Sequence, residues 1–318
     1  MPQDEFGWIR EWTSRCPTRA ASVVVATGDD AAVTSLPCGR EQVSCMDTMT
    51  EGVHFRRTQM TMEEIGWKSV AVNFSDLAAM GADASGVLVA VAVPPTVDAT
   101  EVSALYDGIG AILREYDAVL LGGDTVRGRN DFTVTVAALG SVPAGTAVTR
   151  AGARAGDRVV LTGPTGYSGS VWRSWAQGRT APTAYRQAHT VPRPRLREGR
   201  QLRELGASAM NDVSDGLAAD VEAIATASQV AIVLTEEAFD WLPELAAELS
   251  EGPWTAKELA LYGGEDYELV ATVPEYAEIP EGMRVIGRVE TGCGVYWQNP
   301  AGTVRVSGNG FNHWQEEM

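Results

Sequence analysis

Lysine is nearly missing from this sequence: only Lys68 and Lys257 occur among 25 basic residues, which face 42 acidic ones. The formal net charge of -17 sets up a mean field that repels nucleic acid and anionic membrane surfaces, so neither is expected as a partner. Cysteine is equally scarce. Cys16, Cys38, Cys45 and Cys293 have no C-x-x-C spacing and are too few to brace 318 residues with disulfides. Histidine is limited to His54, His189 and His313, which makes a structural zinc site improbable. The longest apolar run, 87–93, falls far short of the ~20 residues that span a bilayer. The start MPQDEFGWIREW is acidic and has no signal-peptide pattern, so a cytoplasmic location is expected. Two common phosphate cradles are absent as well: there is no G-x-x-x-x-G-K-[ST] and no kinase-type glycine loop followed by a lysine strand.

What is present is the mixture of a folded protein, 45% hydrophobic and 21% charged. At roughly 100 to 200 residues per domain, the length favours two domains. Helix-like and strand-like patterns alternate throughout, which predicts a mixed α and β protein. In the first half the patterns predict a short strand at 43–46, a helix over 61–80 closed by Gly81, and a buried strand at 86–93 stopped by Pro94-Pro95. Asp98 and Glu101 read as a capping box opening a helix to about 116. A strand at 118–121, a glycine turn at Gly122-Gly123 and a strand at 132–139 follow. The glycine-rich polar stretch 149–157 places a boundary, giving domains 1–148 and 149–318. The second half then reads as a strand at 158–161, a glycine turn at 163–169 leading into a helix, and helices at 196–205 and 215–228. Strands are expected at 230–234 and 266–273.

The residues suited to chemistry are aspartates in small, glycine-flanked contexts: Asp29 and Asp30, Asp47, Asp76, Asp124, and Asp212 with Asp215. Singly each has a plain explanation. Asp29-Asp30 fits a turn, and Asp212 or Ser214 fits a helix cap. Asp76 shares a helix face with Asn73 in a mainly apolar stretch, where a carboxylate needs a partner, with Lys68 two turns away as one choice. If the carboxylates converge, lysine is too scarce to neutralise them. Mg²⁺ is then the natural counter-ion, since it takes carboxylate oxygens together with substrate phosphates and makes an acidic site attractive to a nucleotide. The turn at Gly163–Gly169 and the pair Gly122-Gly123 could face phosphate, or could simply be turns.

Taken in order, GDDAAV, DTMTEGVHF, NFSDLAAMGAD, GGDTVRG, TRAGARAGD, DVSDGL, GGEDYEL and the terminal GFNHW resemble the thiamine-monophosphate kinase family. That family belongs to the superfamily of aminoimidazole ribonucleotide synthetase and selenophosphate synthetase, and the resemblance covers nearly the whole chain. It implies an α+β, two-domain synthetase-like fold. The N-terminal domain would bind ATP and Mg²⁺ and form a homodimer by sheet pairing, and a C-terminal α/β sandwich would complete the active-site cleft. The implied reaction is direct in-line transfer of the γ-phosphoryl of ATP to thiamine monophosphate, the last step of thiamine diphosphate biosynthesis. By the same likeness Asp30, Asp47, Asp76, Asp124, Asp212 and Asp215 ligate several Mg²⁺ ions, and Gly123, Asp124, Arg150 and Ser214 contact ATP. His54, Glu265 and Phe311 would contact the thiamine end.

The sequence departs from the family where Cys45 and Met46 stand in place of Ser-Thr, removing two hydroxyls that can join the metal shell. Near the end Asn312 and Trp314 replace the usual aspartate and last aromatic. Two other readings remain: a different ATP-dependent synthetase of the superfamily, and a weakly catalytic nucleotide- or thiamine-phosphate-binding protein suggested by Cys45 and Met46. Against selenophosphate synthesis stands the lack of a cysteine and lysine near a glycine-rich start. Against the purine-pathway synthetases stand His54 in GVHF and the terminal GFNHW.

Overall fold

The computed structural model describes residues 5–25, 32–249, 254–306, 308 and 310. The chain divides into two units, one made of residues 1–77 and 82–146 and the other of 78–81 and 147–318.

Unit 1 contains α1 (Glu5–Thr13), a small antiparallel pair β1 (Val23–Val25) and β2 (Val33–Thr34), and then β3 (Arg40–Thr50), α2 (Met62–Ala79), β4 (Asp83–Val93), α3 (Ala99–Glu115), β5 (Val119–Arg127) and β6 (Thr133–Pro143). Its main sheet has the order β3-β6-β4-β5, with β4 and β5 parallel and the other pairs antiparallel. The period of two along the strands decides what faces the core. Val134, Val136 and Ala138 of β6 and Val87, Val89 and Val91 of β4 are buried on one face together with Phe74, Leu77, Ile109 and Leu113 of the helices. Each such valine or leucine contributes about 1.5–3 kcal/mol of burial. The opposite face stays open, with Met46 66%, Val126 51% and Leu88 41% exposed.

The capping box forms as the sequence indicates: the Asp98 side chain accepts from the backbone N–H groups of Thr100 and Glu101, while Glu101 accepts from that of Asp98. Gly108 is a packing residue. A Cβ there would lie 2.0 Å from the Glu63 carbonyl, and one at Gly66 would lie 2.0 Å from that of Leu105, so these two glycines let α2 and α3 cross closely. The expected turn at Gly122-Gly123 is not a turn. A bulge shifts the β4–β5 register and both glycines continue β5, with Gly123 opposite Val89. There a Cβ would come within 1.8 Å of the Val89 carbonyl.

Unit 2 runs β7 (Arg158–Leu161), α4 (Tyr167–Ala176), α5 (Thr183–Thr190), α6 (Leu196–Glu204), β8 (Ala209–Asp212), α7 (Leu217–Ser228), β9 (Ala231–Thr235), α8 (Leu242–Glu248), α9 (Ala256–Tyr262), β10 (Leu269–Val273), β11 (Arg284–Glu290), β12 (Gly294–Asn299) and β13 (Gly302–Val306). The sheet order is β13-β12-β9-β11-β7-β10-β8, and only β9 and β12 pair in parallel. Leu217, Val221 and Ile224 of α7 pack with Leu161, Ile232, Val270, Ile286 and Trp297 into the core. A second cluster joins Val171, Tyr185, Leu245 and Leu259. The two-domain α+β fold is therefore present. The strand expected from residue 266 begins only at Leu269, because Glu265 and Tyr267 adopt left-handed backbone (φ +56° and +54°). Among the described residues, no helix is long and apolar enough to cross a membrane.

Candidate functional site

The acidic residues of unit 1 are placed by strand and helix periodicity. Along β3, Cys45, Asp47 and Met49 turn toward α2, while Ser44, Met46 and Thr48 turn to the open face. From α2, buried Asn73 meets this row. Its Oδ1 accepts from the Asp47 backbone N–H at 3.0 Å, its Nδ2 donates to the Ser69 carbonyl at 3.0 Å, and its carbonyl accepts from the Cys45 thiol at 3.2 Å. One turn further on, Asp76 hydrogen-bonds both Asp47 and Cys45. Two carboxyl groups in contact hold either a shared proton or a cation between them. Burial pushes the Asp47 carboxyl upward, partly offset by its bond to Asp76 and by the neighbouring His54. Burial, Asp76 and Asp47 together push the Cys45 thiol far up, so it stands as a neutral thiol.

His54 follows β3 in a turn where its Nδ1 accepts from the Thr50 backbone N–H at 3.1 Å, which puts the proton of the neutral ring on Nε2. Lys68, the partner considered for Asp76, is wholly buried. Met46 does not share the acidic side: it lies on the open face, so of Cys45 and Met46 only Cys45 borders the carboxylates. Asp124 is also apart from Asp47. The row of directly opposed residues runs Asp47, Val136, Val89, Gly123, so Asp124 lies one step off that row and on the other face. It stands on β5, the far edge of the sheet, exposed, with Oδ1 accepting from the Thr125 backbone N–H at 2.9 Å. Three strand spacings, ~14 Å, separate the two edges.

Unit 2 gathers a second acidic group around the turn after β8. Asp212 ends the strand buried, Asp215 is exposed, and Ser214 lies between them. Beneath the turn is Asp220 of α7, buried, which the sequence reading missed. Its Oδ1 accepts from Asn211 Nδ2 at 3.0 Å and its Oδ2 from the Ser214 backbone N–H at 3.1 Å. Asn211 Oδ1 in turn accepts from Arg150 Nε at 2.8 Å. Burial pushes the Asp220 carboxyl up to about 8, helped by the charges of Asp212 and Asp215 and opposed by the backbone donors of Asp215 and Ser214. A sequence signal existed: Asp220 falls on the same helix face as Leu217, Val221 and Ile224, where a carboxylate is out of place.

Glu265 is tied to this turn, its backbone N–H donating to the Ser214 carbonyl at 2.7 Å, while Tyr267 N–H reaches the Val213 carbonyl at 2.9 Å. The Glu265 carboxylate lies 3.5 Å from Nδ1 of wholly buried His189, which is also 2.9 Å from Ser168 Oγ. Two left-handed non-glycine residues in one short segment store strain that these contacts must offset. Two backbone donors of the glycine turn at 163–169 are taken within the chain. Gly166 N–H and Ser168 N–H, at the start of α4, donate to the Asp266 carboxylate at 2.8 and 3.3 Å. Burial pushes that carboxyl up to about 8, the two donors lower it, and Glu268 and Glu265 raise it. Glu268 itself is held by Arg195 Nε at 2.8 Å and Thr162 Oγ1 at 2.6 Å.

The structure thus brings Asp47 and Asp76 together in unit 1, and Asp212, Ser214 and Asp215 together with Arg150 and Glu265 in unit 2. Asp29, Asp30, Phe311, Asn312 and Trp314 lie outside the described residues. Among the described residues no group of three or more His, Cys, Asp or Glu is close enough to hold a metal ion. The donors present are nonetheless hard carboxylate oxygens in pairs. That suits Mg²⁺, which binds through one or two carboxylates and completes its shell with water and substrate phosphates.

Comparison with known proteins agrees with this division. Residues 28–142 match AIR synthase related protein, N-terminal domain, and residues 154–297 match AIR synthase related protein, C-terminal domain. A thiamine-monophosphate kinase of Bacillus subtilis is 38% identical over 276 residues, covering 85% of this chain and 83% of its own. The crystal structure of thiamine-monophosphate kinase from Stenotrophomonas maltophilia superposes with a TM-score of 0.77 at 34% identity, covering 91% of this chain and 94% of that one. A structure described as AaThiL complexed with AMPPCP and TMP gives a TM-score of 0.79 at 29% identity, covering 98% of this chain and 97% of that one.

Proposed function

The chain belongs to the AIR synthase related family, within its thiamine-monophosphate kinases, and we propose that it transfers the γ-phosphoryl of ATP to the phosphate of thiamine monophosphate, giving thiamine diphosphate and ADP. The observation that carries the reading in this chain is the pair Asp47 and Asp76, hydrogen-bonded to each other, with the backbone of Asp47 tied to α2 by the amide oxygen of Asn73. The nucleophile is a phosphate oxygen, ionised at neutral pH, so no general base is needed. The protein's work is to hold two anions in line and to place countercharge. Asp47 and Asp76, with Asp30, are assigned to one metal set, and Asp212 and Asp215 to another. Mg²⁺ bound there would neutralise and orient the phosphates. Arg150 and Ser214 of unit 2, and Gly123 and Asp124 of unit 1, are assigned to ATP. His54, Glu265 and Phe311 are assigned to the acceptor, Glu265 offering a carboxylate to the cationic thiazolium ring.

The placement of Asp124 supports a homodimer. It stands on the opposite face and edge of the sheet from Asp47, so both serve one site when a second copy supplies Asp124. The open face beside it, with Met46, Leu88 and Val126 exposed, is an apolar surface suited to that second copy. Four free cysteines, one of them a neutral thiol beside the carboxylates, support a reducing cytoplasmic setting.

The test is ADP release from Mg-ATP with thiamine monophosphate, thiamine or aminoimidazole-pathway precursors offered in turn. Turnover is expected only with thiamine monophosphate, with thiamine diphosphate as product, and EDTA should abolish it. Turnover with another acceptor, or tight binding of both ligands without turnover, would overturn the reading.

A further inference from the structure

A hydrogen-bond chain in unit 2, buried at two of its three members, has no assigned role. Asp220 is 5% exposed and Asn211 2% exposed, and they link an exposed arginine to the turn that carries Ser214 and Asp215. We propose that Asp220 is a positioning residue for nucleotide binding, aiming Arg150 through Asn211 and fixing the Ser214–Asp215 turn through its backbone. This rests on the kinase reading for what Arg150 and Ser214 touch.

The direction of every bond in the chain is determined by chemistry. Arg150 Nε can only donate, so the Asn211 oxygen must face it at 2.8 Å. The Asn211 Nδ2 is thereby turned to Asp220 Oδ1 at 3.0 Å, where a carboxylate oxygen accepts. The second oxygen takes the Ser214 backbone N–H at 3.1 Å. One carboxylate therefore locks the amide against flipping, and the amide locks the guanidinium by its Nε. The four N–H donors on the Nη atoms of Arg150 are left for an anion such as a phosphate. The cap position Gly216 of α7 makes no side-chain hydrogen bond, so it is Asp220, a turn into the helix, that reaches back to the preceding turn. A carboxylate placed here merely to stabilise α7 would have no need of Asn211 or Arg150.

The experiment is titration of the full-length protein with Mg-ATP by calorimetry, alongside thermal melting, for wild type, Asp220→Asn, Asn211→Ala, Arg150→Ala and the double variant Arg150→Ala/Asp220→Asn. The amide in Asp220→Asn has one acceptor oxygen, so one of its two donors is left facing an NH₂ group. Its Kd for Mg-ATP should rise about tenfold or more, in the range of lost supporting contacts to a binding group. In Asn211→Ala, which leaves Asp220 on the Ser214 turn that Glu265 is tied to, the KM for thiamine monophosphate should stay within about twofold of wild type. In the double variant the two effects should fall clearly short of additive. Asn211→Ala removes the bridge between Arg150 and Asp220 but leaves the Ser214 backbone N–H on Asp220, and should show the ATP-selective loss even where Asp220→Asn folds poorly. Equal losses for ATP and thiamine monophosphate, fully additive effects, or unchanged ATP binding in Asn211→Ala would overturn the proposal. A wild-type chain that binds no Mg-ATP would instead count against the kinase reading itself.

Discussion

In unit 1 the paired carboxylates ride on regular structure: Asp47 is set by strand alternation and Asp76 by a helix turn after Asn73. In unit 2 the corresponding aspartates flank an irregular turn, Asp212 ending β8 and Asp215 in the turn itself, and a buried third carboxylate, Asp220, holds that turn from beneath. The first arrangement costs little to build, because the elements would form without it. The second buries an acid among Leu217, Val221 and Ile224, and its carboxyl is pushed up to about 8 as a result. A metal pair can be carried by any rigid scaffold. A nucleotide clamp with several donors needs supporting contacts of its own.

The contrast is broken most directly by removing a carboxylate from the rigid pair. Asp76→Asn should lower kcat/KM about a hundredfold or more while leaving the melting temperature near wild type, because it takes a charge from the transferring phosphates. Retained ADP formation would remove Asp76 from the metal set. Next in size is the open face of unit 1, where Val126→Asp should shift the protein to monomer in light scattering and reduce activity with it. A dimer that survives this change would move the interface elsewhere.

A smaller effect is read by pH in unit 2. Asp220, near Asp212 and Asp215, and Asp266, near Glu265 and Glu268, both have carboxyls raised to about 8 from 3.8. The folded chain then binds more protons than the unfolded one between those values. Their contribution therefore favours folding at low pH and is lost as pH rises toward 8. The melting temperature of the metal-free protein should fall more steeply from pH 6 to 8 in wild type than in Asp266→Asn, and identical slopes would contradict the assignment. The smallest effect concerns Cys45. Cys45→Ser restores a hydroxyl at a departure that borders the carboxylates, and activity should change by no more than about threefold. In wild type, thiol reagents should label exposed Cys38 and Cys293 well before Cys45 or Cys16, whose thiol burial pushes up to about 12.

How much of this was legible follows from the same contrast. The two-domain fold, the helix of Asn73 and Asp76 and the capping box at Asp98 could be read directly, because each rests on local periodicity. Cys45 and Met46 read as equivalent neighbours, yet alternation along β3 sends them to opposite faces. Asp124 read as one more member of a cluster, but only the sheet order reveals that it stands across the sheet from Asp47. Gly163–Gly169 was left open between a phosphate-facing turn and a plain one, because nothing local indicates that Asp266, a hundred residues on, takes the N–H groups of Gly166 and Ser168. Asp220 was overlooked as one more helix acid, although its apolar neighbours marked it as buried.

The central claim is that carboxylates on opposite edges of one sheet serve a single phosphoryl-transfer site through a second copy of the chain. Mixing inactive Asp47→Asn and Asp124→Asn proteins, after dissociation and reassembly, tests it directly. Mixed dimers would each carry one intact site, so about a quarter of wild-type activity should return at equal proportions. A mixture as inactive as either parent, with mixed dimers shown to form, would place both carboxylates in separate roles within one chain and contradict the account.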